Sequence, residues 1–199
     1  MAKVRAAAPL VPLIAPQALA FMVYLGGAIL MFSAATPPAR HRFGWLAASV
    51  PLPAIEAWHL ASAAAGAGLL IVARGLQERL RAAYFAAVLL LAASIVTTLL
   101  KGLDYVESIL LLVMLAALLP SRAYFYRRVP LLRTRFTPAW AAAYAATWVA
   151  ILWILSFAYK HVPYDGSIWT RFHLLAHESR SLRAVTAAGL VLILFGIAK

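Results

Sequence analysis

The sequence predicts an all-α integral membrane protein, a bundle of about six transmembrane helices with a short interfacial helix near 167–178. Three observations predict it. From Pro51 to Lys199, long apolar runs alternate with short loops, and the loops carry nearly all of the charge. The 199 residues are 65% hydrophobic, and the mean hydropathy is +0.87, far beyond any soluble domain of this length. The runs also approach the ~20 residues that cross ~30 Å of hydrocarbon. With no water to satisfy backbone groups there, such runs must be helices.

The elements follow in order, as one transmembrane domain over 1–199. The first span covers about 13–32. Lys3, Arg5 and the Ala18-Leu19-Ala20 stretch mimic a secretory signal peptide. The apolar run continues through Phe21–Phe32, however, which favours a retained span. Pro9, Pro12 and Pro16 crowd its start, so regular helix is expected from near Pro16. The second span covers 53–73, with Pro53 as a natural first-turn residue. The third covers 82–100, the fourth 105–119, the fifth 138–159 and the sixth 184–198. The longest loop, 160–183, contains Ile168, Trp169, Phe172, Leu174 and Leu175 among polar neighbours, the pattern of a helix lying in the interface.

The formal net charge is +12, from 18 Lys and Arg against 6 Asp and Glu. On a membrane protein this points first to anionic headgroups. With six spans, one side holds Lys3, Arg5, Arg74, Arg79, Arg81, Arg122, Arg127, Arg128, Arg133, Arg135 and Lys199, 11 of the 18 basic residues. The other side holds Arg40, Arg42, Lys101, Lys160, Arg171, Arg180 and Arg183, the remaining 7. The bias places both termini in the cytoplasm. There is no cysteine, which removes disulfides and thiolate chemistry.

Four constellations carry chemistry. Glu56 and His59 lie one turn apart at the start of the second span. They read either as a polar pair facing a lipid cavity or as a carboxylate favoured by the helix dipole at the interface. Lys101, Asp104 and Glu107 flank the turn after the third span. There Gly102 suits a left-handed cap, and Asp104 with Glu107 suits a capping box. The alternative is a charged cluster that binds a headgroup. Arg122, Tyr126, Arg127 and Arg128, continuing to Arg133 and Arg135, form a basic stretch interleaved with Tyr124, Phe125 and Phe136. Arginine grips phosphate bidentately and aromatics suit the headgroup layer. Topology control and nucleic-acid binding are the other readings. His173 and His177 share a helical face before Glu178, but no third ligand is evident and no metal site is expected.

Ser62 with Gly66, and Ala64 with Gly68, place small residues at four-residue spacing in the second span. They permit close helix contact within the bundle. No phosphate-binding loop, nucleophile elbow or mid-membrane carboxylate pair is present, so the chain shows no complete active site and no cofactor is expected.

Several stretches together resemble one family. They are PLPAIEAWHLASAAAGAGLLIVARGL (51–76), LLKGLDYVESILLL (99–112), LLPSRAYFYRR (118–128), RFTPAW (135–140) and FAYKHVPYDGSIWTRF (157–172). Their order resembles the last membrane spans of the bacterial aminoacyl-phosphatidylglycerol synthase/flippases, the multiple peptide resistance factors. Lys101-Gly102-Leu103-Asp104-Tyr105 and Phe125-Tyr126-Arg127-Arg128 are its more distinctive parts. Trp58 departs from the small polar residue expected between Glu56 and His59.

The resemblance implies a bacterial inner-membrane protein whose relatives add a cytoplasmic acetyltransferase-like domain after these spans. That domain moves lysine or alanine from aminoacyl-tRNA to phosphatidylglycerol. This chain lacks it, so the chain alone is expected to be inactive. The implied partners are phosphatidylglycerol or its aminoacyl form, the soluble domain and further membrane helices, with tRNA reached only through that domain; a homo-oligomer stays open. The expected role is to bind anionic lipid at Arg122, Tyr126, Arg127, Arg128, Arg133, Arg135, Glu56, His59, Lys101, Asp104 and Glu107, and to present it to the catalytic domain. The alternatives are a lipid-translocation module and a non-catalytic membrane scaffold.

Overall fold

A computed structural model describes residues 11–36, 52–102, 105–130, 137–158 and 177–197. The helices are α1 (Val11–Ala35), α2 (Leu52–Gln77), α3 (Arg81–Gly102), α4 (Tyr105–Leu118), α5 (Pro138–Ala158) and α6 (His177–Ile197). A 3-10 turn, Leu119–Tyr124, extends α4. Five segments are long and apolar enough to cross a membrane: Ile14–Ala35, Ala57–Gln77, Arg81–Leu100, Tyr105–Tyr124 and Pro138–Phe157. The apolar stretch of α6 is shorter, Ala184–Ile193. The chain is a multi-pass membrane protein with an all-α bundle fold.

The antiparallel pair α1–α2 divides the bundle. On one side α3 and α4 pack against it around Val23, Leu30, Leu69, Leu76, Leu91 and Leu111. On the other side α5 and α6 pack around Met31, Ala63, Leu70, Ile151, Val185 and Ala188. Consequently 72% of the apolar window of α2 is buried, against 17% for α5. The exposed side chains of α5 include Val149, Leu152, Trp153 and Phe157, a surface suited to lipid.

Glycines set the closeness of the central pair. A Cβ at Gly27 would lie 2.7 Å from the carbonyl oxygen of Gly66, so the two backbones touch. Gly68 faces Leu90 of α3 instead. The small-residue spacing of α2 thus serves packing inside the bundle.

Two sequence expectations are corrected. Helix α1 begins at Val11 and contains Pro16. Pro12 falls in the first turn, where its missing N–H has no intrahelical partner to lose, and Pro16 costs a single ladder bond in a long helix. Gly102 is the last residue of α3, and among the described residues no glycine takes left-handed backbone.

The interfacial segment 167–178 lies outside the described residues up to 176. His177 and Glu178 belong to α6, which starts seven residues before the apolar run at Ala184. Hydropathy locates apolar windows, while a helix continues past them wherever its polar turns reach the interface.

The α2–α3 connection is a tight C-terminal cap. The Leu80 amide donates to Gly75 O at 3.0 Å and the Arg79 amide to Leu76 O at 2.9 Å. This is the Schellman pattern, which needs a left-handed residue, usually glycine, just past the helix. Here Arg79 fills it, with φ of 61°.

Candidate functional site

The connection at 78–81 and the segment after α4 are joined at one end of the bundle. The Arg127 amide donates to Arg79 O at 3.1 Å, and the Arg81 amide donates to Arg127 O at 2.9 Å. These bonds make a parallel bridge between Leu80 and Arg127. Arg127 Nη1 also donates to Glu78 O at 3.3 Å. Two loops separated by a full helical hairpin thereby form a single basic face carrying Arg79, Arg81, Arg122, Arg127 and Arg128.

Aromatic residues support this face. The Phe85 ring receives the guanidinium of Arg122 at 5.5 Å and that of Arg81 at 5.8 Å, each an attraction of about 0.5–1 kcal/mol at exposed sites. Tyr84 stacks on Phe125 at 5.4 Å and donates its hydroxyl to Leu119 O at 2.9 Å. Tyr126 is 63% exposed beside Arg127 and Arg128, which are exposed too. Glu78, the acidic residue of this turn, is bridged by Arg74 at 2.9 Å.

At the same end of the bundle, the start of α1, the end of α2 and the start of α5 line a cleft of about 260 Å³. Its lining includes Gln17, Phe21, Tyr24, Gln77, Trp140 and Ala143. Trp140 Nε1 donates to Gln77 Oε1 at 2.6 Å, and Arg74 Nη1 donates to the same oxygen. The Tyr24 hydroxyl donates to Ala143 O at 2.8 Å and lies 2.6 Å from Thr147 Oγ1. Tyr144 donates to Leu70 O. Tyr24 meets Trp140 edge to face at 5.4 Å. This network ties α5, which is apolar nearly all round, to the central pair at defined points.

The structure divides the residues expected to bind lipid. Arg122, Tyr126, Arg127 and Arg128 sit on the basic face. Arg133 and Arg135 lie outside the described residues, as do Asp104 and His173. Glu56 and Lys101 lie in α2 and α3, with side chains outside the described set. His59 and Glu107 are at the opposite end, so the proposed set is not one site. Both are buried, at 6% and 7% exposure.

Glu107 Oε2 accepts a hydrogen bond from Ser33 Oγ at 3.1 Å, joining α4 to the end of α1. Seven residues separate Gly66 from His59, and seven separate Gly27 from Ala34. At 1.5 Å per residue, the antiparallel pair therefore puts His59 about level with Ala34 and Ser33. Ser62, Thr98 and Ser108 are also buried in this half, with hydroxyls that find no partner among the described residues.

Gln17, Tyr24, Gln77, Trp140, Tyr144 and Thr147 were not legible as a group from sequence. The available signal was the i, i+4, i+7 row of Trp140, Tyr144 and Thr147, polar atoms on one face of an otherwise apolar helix. No model of a known protein family matches the chain, and no curated protein matches it.

Proposed function

We propose that this protein is a membrane module that holds an anionic phospholipid, phosphatidylglycerol or its aminoacyl form, at its basic end. It presents that lipid to an aminoacyl-transfer catalytic domain outside this chain. The observation that carries the reading is the Leu80–Arg127 bridge, which joins two arginine-bearing loops on one face. Each cationic side chain near an anionic surface contributes about 1 kcal/mol. The resemblance of 99–112 and 118–128 to aminoacyl-phosphatidylglycerol synthases supplies the lipid and the reaction. The contribution to that reaction is positional: the arginines fix the phosphate, so the headgroup hydroxyl that receives the aminoacyl group meets the active site in a restricted orientation. The basic end faces the cytoplasm of a bacterial inner membrane under the positive-inside rule.

A second reading, lipid translocation, is favoured by a separate observation. His59, Glu107 and the buried hydroxyls of Ser62, Thr98 and Ser108 place polar groups inside the opposite half of the bundle. Such groups are costly in a membrane interior and mark headgroup or ion paths.

The test of the main reading is lipid retention by the purified protein in mixed micelles. Wild type is expected to retain phosphatidylglycerol over phosphatidylcholine, and Arg127→Gln with Arg128→Gln to lose about 2 kcal/mol of that preference. The effect should shrink in high salt, because exposed charges are screened beyond ~10 Å at 0.1 M. A double variant that selects phosphatidylglycerol as well as wild type would leave the loop a topology signal.

A further inference from the structure

We propose that the cleft between α1, α2 and α5 is a headgroup subsite. It takes the neutral glycerol hydroxyls of an anionic glycerophospholipid whose phosphate rests on the arginine face at the same end of the bundle. The inference rests on the lipid-binding reading above and adds which part of the lipid is recognised, and where.

The cleft is built to donate hydrogen bonds. Gln77 Oε1 already accepts from Trp140 Nε1 and from Arg74 Nη1. A carbonyl oxygen has two lone pairs, so this oxygen is saturated and the amide cannot flip without losing both donors. The Gln77 amine is thereby fixed as the group left to donate. Gln17 brings a second amide to the same cleft from α1. The remaining walls, Ala20, Phe21, Ala139 and Ala143, are apolar and suit the carbon skeleton of a glycerol unit.

Charge selects the ligand class. Among the described residues no carboxylate lines the cleft, and Arg74 stands directly behind Gln77. An ammonium group is therefore disfavoured and hydroxyl oxygens are matched, so of the two lipids named above the cleft suits unmodified phosphatidylglycerol.

Position ties the two parts together. Arg79 follows Gln77 by two residues, within about 8 Å along the chain. Its carbonyl receives the Arg127 amide at 3.1 Å. Arg74, hydrogen-bonded to the Gln77 oxygen, and Arg79, two residues beyond Gln77, connect the cleft to the basic end through one stretch of chain.

The experiment measures retention of three lipids by the full chain in mixed micelles: phosphatidylglycerol, phosphatidylmethanol and phosphatidylcholine. Phosphatidylmethanol keeps the singly charged phosphodiester and lacks the glycerol hydroxyls. Wild type is expected to prefer phosphatidylglycerol over phosphatidylmethanol by about fivefold, the worth of one net hydrogen bond. Gln17→Leu, and separately Ala139→Leu, should abolish that preference while keeping anionic over zwitterionic selection. Both positions are exposed, so each variant is expected to melt like wild type. No wild-type preference between the two anionic lipids, or a preference that survives both variants, overturns the subsite. It would leave the arginine reading standing. Loss of anionic over zwitterionic selection in wild type would instead overturn the reading beneath it. Soluble glycerol phosphate should not displace the lipid at equal concentration; if it does, the site is not a lipid site.

Discussion

Gly27 and Gly66 face each other across the crossing of α1 and α2, each so placed that an added Cβ would come within 3.0 Å of the other's carbonyl oxygen. The atoms in the way are backbone, which cannot swing aside. In lipid, helices gain no hydrophobic driving force by associating, so close backbone approach is what holds this pair together. The central position of the pair makes the crossing decisive for the whole bundle.

Gly27→Val should therefore cost at least ~1–3 kcal/mol, the usual penalty of overpacking. Gly68→Ala is the control, since its Cβ would meet only Leu90 Cδ1, the mobile end of a side chain, at 3.0 Å. It should be near neutral, helped by the ~1 kcal/mol better helix propensity of alanine. Unfolding in detergent compares the two, and equal losses would show that the crossing is not special.

The Ser33–Glu107 bond is the described side-chain hydrogen bond that ties α4 to α1. A double-mutant cycle with Ser33→Ala and Glu107→Ala should give a coupling of about 0.6 kcal/mol, with ~1.7 kcal/mol as the ceiling seen for such bonds in membranes. Additive losses would mean that Glu107 is held by its other surroundings and by the N-terminal end of α4.

Arg79 occupies a left-handed position that an ordinary residue pays about 1–2 kcal/mol to adopt. Arg79→Gly removes that cost and regains flexibility in the unfolded chain, so a stability gain of under ~1 kcal/mol is expected. The same variant should bind anionic lipid more weakly by one charge. A rise in melting temperature with weaker lipid retention separates the turn from the charge; a fall in melting temperature would show that the arginine side chain is what keeps the turn.

Tyr24→Phe deletes the hydroxyl that joins α1 to α5. Ala143 O keeps a donor, because Thr147 Oγ1 also bonds to it at 2.9 Å. The cost should stay near ~1 kcal/mol, read by thermal unfolding, with the cleft still able to accept lipid. A loss of several kcal/mol would mean that this hydroxyl is the main anchor of α5.

The sequence by itself determined the helices and their order. Apolar length, Pro138 as a helix start and the arginine-rich turns are all local signals, and a membrane turns apolar length directly into helix. The observed bounds of α3, α4 and α5 lie within two residues of that reading. Tertiary structure alone decided which faces meet. Helix α5 is apolar nearly all round, so its hydrophobic pattern does not mark the face that turns inward; only the few polar atoms of Trp140, Tyr144 and Thr147 distinguish it. The pairing of Arg79 with Arg127, and of Gln77 with Trp140, joins residues 48 and 63 positions apart. No spacing rule along one helix connects them. They meet because α1 and α2 cross at two glycines, and that crossing sets where every other helix can pack.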